Sequence, residues 1–219
     1  MQLSGAQLSE PYVEGKAEYL AVADEGSNSV SITLTAPEDF ILSIDKQECE
    51  SGVAATVPLN AIGYTSISIK AEDPVGHISR TFTLRVRKDA DPETVYNEKY
   101  RPQFHFTPQY AFMNDPNGML YNAATGEYHF FYQTYPYSMS PTDEKHWGHA
   151  VSKDLVHWTQ LPLALSPDEY GNMWSGSGFI DYNNTAGFYD ESVPPEARMV
   201  LAYAIVRGSG ATGLAYTED

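Results

Sequence analysis

The sequence predicts an all-β chain, with a small N-terminal β-sandwich followed by the first blades of a β-propeller. Three observations carry this. Short stretches alternate polar and apolar residues with period two, as a strand with one buried face does. Gly, Pro and Asn interrupt those stretches at turn-like intervals. Aromatic residues are divided unequally: residues 1–90 hold only Tyr12, Tyr19, Phe40, Tyr64 and Phe82, and all three tryptophans lie beyond.

In the first part, Ser29–Ala36, Thr65–Ala71 and Ser79–Val86 alternate, separated by Pro37, Asn60, Gly63 and Pro74-Val75-Gly76. Several short strands with such turns predict a sandwich over residues 1–90. No catalytic grouping stands out there, and His77, beside a turn, reads as a surface residue. The polar stretch 91–101, opening on Asp91-Pro92, reads as a linker.

Residues 102–219 form the second part. Gly118–Asn122 and Glu127–Gln133 predict a hairpin through Ala123-Ala124-Thr125-Gly126. His146–Ser152 and Val156–Gln160 add two strands. A second group follows at Gly176–Tyr182, Met199–Val206 and Gly213–Thr217, with a turn over Asn183–Gly187. Successive groups of about four strands are the pattern of propeller blades. No helix is predicted.

Composition bounds the function. The formal net charge of -16 disfavours nucleic acid and anionic lipid as partners and suits a neutral substrate. Cys49 is the only cysteine, so no intramolecular disulfide forms. No apolar run approaches the roughly 20 residues of a membrane-spanning helix. Met1–Ala6 does not have the form of a secretion signal. The sequence does not specify an oligomeric state.

Asn114-Asp115-Pro116-Asn117-Gly118 is the segment richest in chemistry. Pro116 biases Asp115 toward an extended backbone. Asn117-Gly118 favours a tight turn. The segment therefore predicts a carboxylate at the tip of an ordered loop beside a strand. Two readings fit these five residues: an Asx-type turn, in which Asp115 bonds nearby backbone, and a functional carboxylate. The surroundings bear on the second. Asn114 and Gln133 supply amides, and Phe112, Tyr132, Trp147 and Trp174 supply aromatic faces. Sugar sites combine such groups, since amides and carboxylates bond hydroxyls while aromatic rings cover the apolar face of a sugar. Aromatic-rich strands are also ordinary core.

Six ordered motifs then resemble glycoside hydrolase family 32, the β-fructosidases. They are His105-Phe106-Thr107-Pro108-Gln109, Phe112-Met113-Asn114-Asp115-Pro116-Asn117-Gly118 and Phe130-Phe131-Tyr132-Gln133, then His146-Trp147-Gly148-His149-Ala150-Val151-Ser152, Asp154-Leu155-Val156-His157-Trp158 and Trp174-Ser175-Gly176-Ser177. The resemblance implies a five-bladed propeller with a central active site. It implies retaining hydrolysis of β-fructosidic bonds in sucrose, inulin or levan, with no metal or organic cofactor. Asp115 matches the nucleophile. Asn114 and Gln133 match amides that bond the fructose, and Trp174 and Ser175 match an aromatic-Ser pair against the same sugar. Trp147, grouped with the substrate-binding residues, matches a further motif residue that packs near the site rather than touching the sugar. The resemblance also implies an extracytoplasmic location.

The chain departs from the family pattern twice. Tyr135–Lys145 lacks the Trp of a Trp-Gly-Asn segment, so the pocket wall must be built differently. The Arg-Asp-Pro motif and the Glu-Cys motif that supplies the acid/base are absent; Glu196, followed by Ala197, and Glu218 fit neither. The chain therefore reads as the N-terminal portion of a longer enzyme, or alternatively as a truncated, non-catalytic carbohydrate-binding protein. A related five-bladed family, acting on arabinosides and xylosides, is the other enzyme reading.

The remaining polar residues have simpler readings. His146 and His149, three apart on a strand, face opposite sides and make a poor metal pair. His105, His129 and His157 read as bonded to backbone or sheet neighbours. Asp154 and Asp181 read as turn residues. Asp168-Glu169 and Asp190–Pro195 read as solvated loops.

Overall fold

The computed structural model describes residues 1–73, 78–91, 93–141, 144–206 and 210–217. Pro74-Val75-Gly76, His77, Pro92 and Glu218, named above, lie outside the described residues. The chain divides into two compact units, Met1–Val95 and Tyr96–Asp219.

The first unit contains β1 (Gln2–Ser4), β2 (Ala6–Leu8), β3 (Glu18–Ala23), β4 (Ser29–Thr33), β5 (Ile41–Ile44), β6 (Gln47–Cys49), β7 (Ala54–Pro58), β8 (Gly63–Asp73) and β9 (Ile78–Lys88). They form two sheets, ordered β1-β4-β7 and β2-β3-β9-β8-β5-β6. Only the β3–β9 pairing is parallel among the described strands. The period-two pattern explains the core: Val30 and Ile32 of β4, Ile67 and Ile69 of β8, and Leu84 and Val86 of β9 are fully buried. The predicted run from Ser29 stops as a strand at Thr33 rather than Ala36, although Leu34 still reaches the core. There Ala36 leaves the ladder and exchanges hydrogen bonds with Ser51 Oγ.

The second unit contains β10 (Phe112–Asn122), β11 (Glu127–Tyr135), β12 (His146–Ser152), β13 (Trp158–Leu165), β14 (Asn172–Ile180), β15 (Met199–Val206) and β16 (Ala211–Tyr216). Strands β10 to β13 pair in sequence order as a four-stranded antiparallel sheet, and β14 to β16 as a three-stranded one. The hairpin through residues 123–126 forms as expected, with Asn122 Oδ1 accepting from the amide of Ala124. The fourth strand begins at Trp158, not Val156. Asp154 is the reason: its Oδ1 accepts from the amides of Val156 and His157, and its Oδ2 bonds the His157 ring. These partners, His157 first, hold the Asp154 carboxyl far below the usual carboxylate range. Asp181 binds the amides of Thr185 and Ala186 in the same way. A single 3-10 turn, Pro195–Ala197, is the one helical element among the described residues.

Adjacent residues of β11 serve opposite faces. Phe130 and Tyr132 pack with Phe106 and Trp158, while Phe131 joins Trp147, Met173, Leu201 and Tyr203 in a second core. That second core brings together side chains of both sheets. Glycine is needed at two positions around this core. Gly118 has φ +44, and a Cβ there would meet Leu201, Phe131 and Trp147 at 3.1–3.3 Å. At Gly176 a Cβ would lie 2.1 Å from the Ala202 carbonyl oxygen of the paired strand. Gly176→Ala is therefore expected to destabilise the second unit by about 3 kcal/mol, the upper end for overpacking. Urea unfolding followed by tryptophan fluorescence measures it, because Trp147, Trp158 and Trp174 all lie in this unit.

Two histidines also sit between strands. His129 Nδ1 and His149 Nε2 are hydrogen-bonded at 3.0 Å, and His149 stacks on Phe131 with centroids 4.2 Å apart. Burial, then the neighbouring His129, pushes the His149 pKa down to about 4; burial also lowers that of His129. The folded state thus favours neutral rings. Stability from this pair is full above the unfolded value of about 6.5 and is lost as pH falls toward 4, because the unfolded chain binds protons first. Unfolding free energy measured at pH 7, 5.5 and 4.5 should decline across this window, and less so in His149→Gln.

Candidate active site

The segment around Asp115 is strand, not loop. Residues 112–122 form β10 throughout, with two irregularities. Met113 pairs with Thr134 and Pro116 with Tyr132, so one extra residue is accommodated between them. Asn117 pairs with Phe131 and Leu120 with His129, so a second is accommodated around Gly118. The turn expected at Asn117-Gly118 is therefore a β-bulge. Pro116 lacks an N–H and is tolerated on an edge strand at a bulge, and a Gly with positive φ fits the second bulge. The first bulge leaves Asn114 and Asp115 without ladder partners and exposed to solvent.

Four of the expected site residues form one hydrogen-bonded chain. Asn114 Nδ2 donates to Gln133 Oε1 at 3.0 Å. Gln133 Nε2 donates to Ser175 Oγ at 2.9 Å. Ser175 Oγ donates to Asp115 Oδ2 at 2.5 Å. Gln133, on β11, is 1% exposed and is the buried centre of this chain. Ser175 comes from β14, in the other sheet. Asp115 thus has a cross-sheet partner, not the local backbone partner of an Asx turn.

The other two expected residues sit differently. Trp147, directly opposite Gln133 on β12, is fully buried, so its ring offers no surface to a dissolved sugar. Its Nε1 donates to the Trp174 carbonyl at 2.9 Å, which fixes the backbone just before Ser175. Trp174 itself is half-buried on β14. In the Tyr135–Lys145 segment, Tyr135 and Tyr137 pack edge-on at 5.4 Å, and Tyr137 meets His146 edge-on at 5.5 Å. The Lys145 ammonium lies 5.0 Å from the centre of the Phe112 ring.

Asn117 was read only as a turn former, yet it joins the two sheets. It is 2% exposed, and its Oδ1 accepts from the Gly176 amide at 3.2 Å. Its spacing offered one signal: an amide three residues after Asn114, in a segment already read as structured. Among the described residues no group of three or more His, Cys, Asp or Glu could hold a metal ion. The arrangement presents one oriented carboxylate to solvent, flanked by neutral amide and hydroxyl groups. It can serve as a nucleophile or bind hydroxyls.

Residues 105–212 match the N-terminal domain of glycosyl hydrolases family 32, and residues 2–89 match a cadherin-like β-sandwich domain. A levanase of Bacillus subtilis is 49% identical over 138 residues, 63% of this chain and 20% of the levanase. An invertase of Schizosaccharomyces pombe is 45% identical over 117 residues, 51% of this chain and 20% of the invertase. Among solved structures, a β-fructofuranosidase from Schwanniomyces occidentalis complexed with fructosyl-erythritol is similar, with 34% identity, a TM-score of 0.54 and coverage of 59% of this chain and 26% of that one. An exo-inulinase from Aspergillus awamori follows with 35% identity, a TM-score of 0.50 and coverage of 57% and 26%. The chain spans about a fifth of the length of these levanase and invertase relatives.

Replacing Gln133 by Leu would leave the Asn114 amide and the Ser175 hydroxyl without their buried partner. A loss of roughly 1–3 kcal/mol in the second unit is expected, read by tryptophan-detected urea unfolding. Unchanged stability would show that this side chain does not bridge the two strands.

Proposed function

We propose that the protein containing residues 105–212, which match the N-terminal domain of glycosyl hydrolases family 32, hydrolyses β-fructosidic bonds in levan, inulin or sucrose, with Asp115 as nucleophile. The observation that carries this is the Asn114–Gln133–Ser175–Asp115 chain, which orients one carboxylate oxygen and leaves the other free.

In this reading Asp115 Oδ1 attacks the anomeric carbon of the fructosyl unit. The bond to the leaving oxygen breaks as a second carboxyl group protonates it, and a fructosyl ester forms on Asp115. Water then attacks the same carbon, losing a proton to that second carboxylate, and Asp115 leaves as the free anion. Two inversions retain configuration. Ser175 holds Oδ2 throughout, the exposed Asn114 amide faces fructose hydroxyls along with Trp174, and the buried Gln133 positions Asn114 and Ser175. Trp147 acts as a positioning residue beneath Trp174.

Among the described residues the side-chain partner of Asp115 is the Ser175 hydroxyl. Neither amide nor hydroxyl can supply the required acid. In this reading the acid/base is a carboxyl group outside residues 1–219, in which the Glu-Cys motif named above is absent, placed about 5 Å from Asp115 in the complete protein, as retaining enzymes require. Inverting action on arabinosides or xylosides would need more than about 6.5 Å. Among the described residues no helix is long and apolar enough to cross a membrane. An extracytoplasmic location, where polymeric fructan is met, belongs to the same reading.

Asp115→Asn in the complete protein should lower fructose release from levan, inulin and sucrose by more than about 1,000-fold, as loss of a nucleophile does elsewhere. Proton NMR of the first product should show the β-anomer before mutarotation. Undiminished activity, or initial release of the α-anomer, would sink the assignment. The isolated 219-residue chain is expected to release no measurable fructose.

A further inference from the structure

The first unit has only five aromatic side chains, and four of them line one cleft. Tyr12, Tyr19, Phe40 and Phe82 converge there; Tyr64 does not. The cleft has a volume of about 640 Å3, within the ~300–1,000 Å3 span of small-molecule sites. Its placement follows from local structure. Tyr19 on β3 is buried in the core, and Phe82 on β9 meets it edge-on at 5.1 Å. Tyr12 stacks on Tyr19, centroids 5.1 Å apart and planes 16° apart, while remaining 44% exposed. The Tyr19 hydroxyl donates to the Val13 carbonyl and so ties down the segment that carries Tyr12. Phe40 is presented by a turn whose Phe40 amide donates to the Pro37 carbonyl. It is half-buried but lies outside the unit's core cluster.

A solvent-facing ring with its other face supported is what an apolar sugar face stacks against. The polar groups around it fit the same ligand. Ser79 and Thr81 contribute hydroxyls. The charged residues of the rim are paired, Arg80 with Glu14 and Lys16 with Glu10. The rim thus presents hydrogen-bonding groups with balanced charge, which favours a neutral ligand over an anionic one.

We infer that this cleft is a carbohydrate-binding site that holds a segment of fructan, separate from the Asp115 site. The choice of fructan among neutral glycans rests on the function proposed above. The cleft binds without chemistry. Its contribution is retention of polymer: one chain with two sugar-binding sites gains avidity for a ligand long enough to occupy both.

The test uses the full 219-residue chain, 15N-labelled, titrated with inulin and levan oligosaccharides. Amide shifts are expected at Tyr12–Ala17 and Ser79–Phe82. Tyr12→Ala should weaken that binding at least tenfold while amide shifts away from the cleft stay those of the folded parent chain; Asp115→Asn should leave the cleft shifts intact. Shifts confined to the surroundings of Gln133 and Ser175 would overturn the cleft while sparing the proposed function. Cleft shifts in the chain, with full activity of the complete Asp115→Asn protein, would overturn the nucleophile and spare the cleft. Equal response to dextran oligosaccharides, or Tyr12→Ala binding like the parent chain, would overturn the fructan site.

Discussion

The close approach of β10 and β14 governs the second unit. Asp115 and Ser175 lie 60 residues apart in sequence and on strands of different sheets, yet they share a 2.5 Å hydrogen bond. Three features allow this. Gly118 leaves room for Leu201 of the other sheet, and Gly178 on β14 leaves room for Leu120 of β10. Asn117 joins the strands by accepting from the Gly176 amide. Trp147 fills the space below and fixes the Trp174 carbonyl. If any of these shifted by an ångström, Ser175 would no longer reach the carboxylate. The Asn-Asp-Pro-Asn-Gly and Trp-Ser-Gly segments are thus two halves of one contact.

The two units use aromatic residues differently. In the second, rings dominate the packing: Phe106, Phe130, Tyr132 and Trp158 on one face of β11, Phe131 and Trp147 on the other. In the first, the buried core is mostly aliphatic, with Tyr19 as its one aromatic member. Phe82 packs half-buried against that core, and Tyr12 is exposed. Four of the five rings of this unit nonetheless line one cleft.

Most of the strands were legible in the sequence because period-two alternation and burial are the same fact seen twice. Val30, Ile32, Ile67, Ile69, Leu84 and Val86 are inward positions in both views. The start of the fourth strand was not legible, because it depends on which backbone amides the Asp154 carboxylate captures. The local geometry of Asp115 was misread for a related reason. Pro, Asn and Gly have the same signature in a turn and in an edge-strand bulge, and only the partner strand distinguishes them. The resemblance of ordered motifs brought Asn114, Gln133, Trp174 and Ser175 into consideration together. The bonds among three of them and Asp115 required the two sheets to meet. Asn117 was missed because its role is cross-sheet, and single-sequence patterns describe neighbours along the chain. The cleft on the first unit was equally hidden: Tyr12, Phe40 and Phe82 are far apart in sequence and share nothing but the place where they meet.

Gln133 gives its hydrogen-bonded chain a sense. An amide has unlike ends, and here its oxygen faces Asn114 while its nitrogen faces Ser175. The Ser175 oxygen, already receiving a hydrogen from Gln133, must send its own toward Asp115. Rotating the Gln133 amide by half a turn would set two NH2 groups against each other at Asn114, so the reversed order is disfavoured. The position of a hydrogen at the surface is therefore dictated by a side chain that never meets water. The arrangement works as a ratchet of donors, in which the last member can give to the carboxylate but has no reason to take from it.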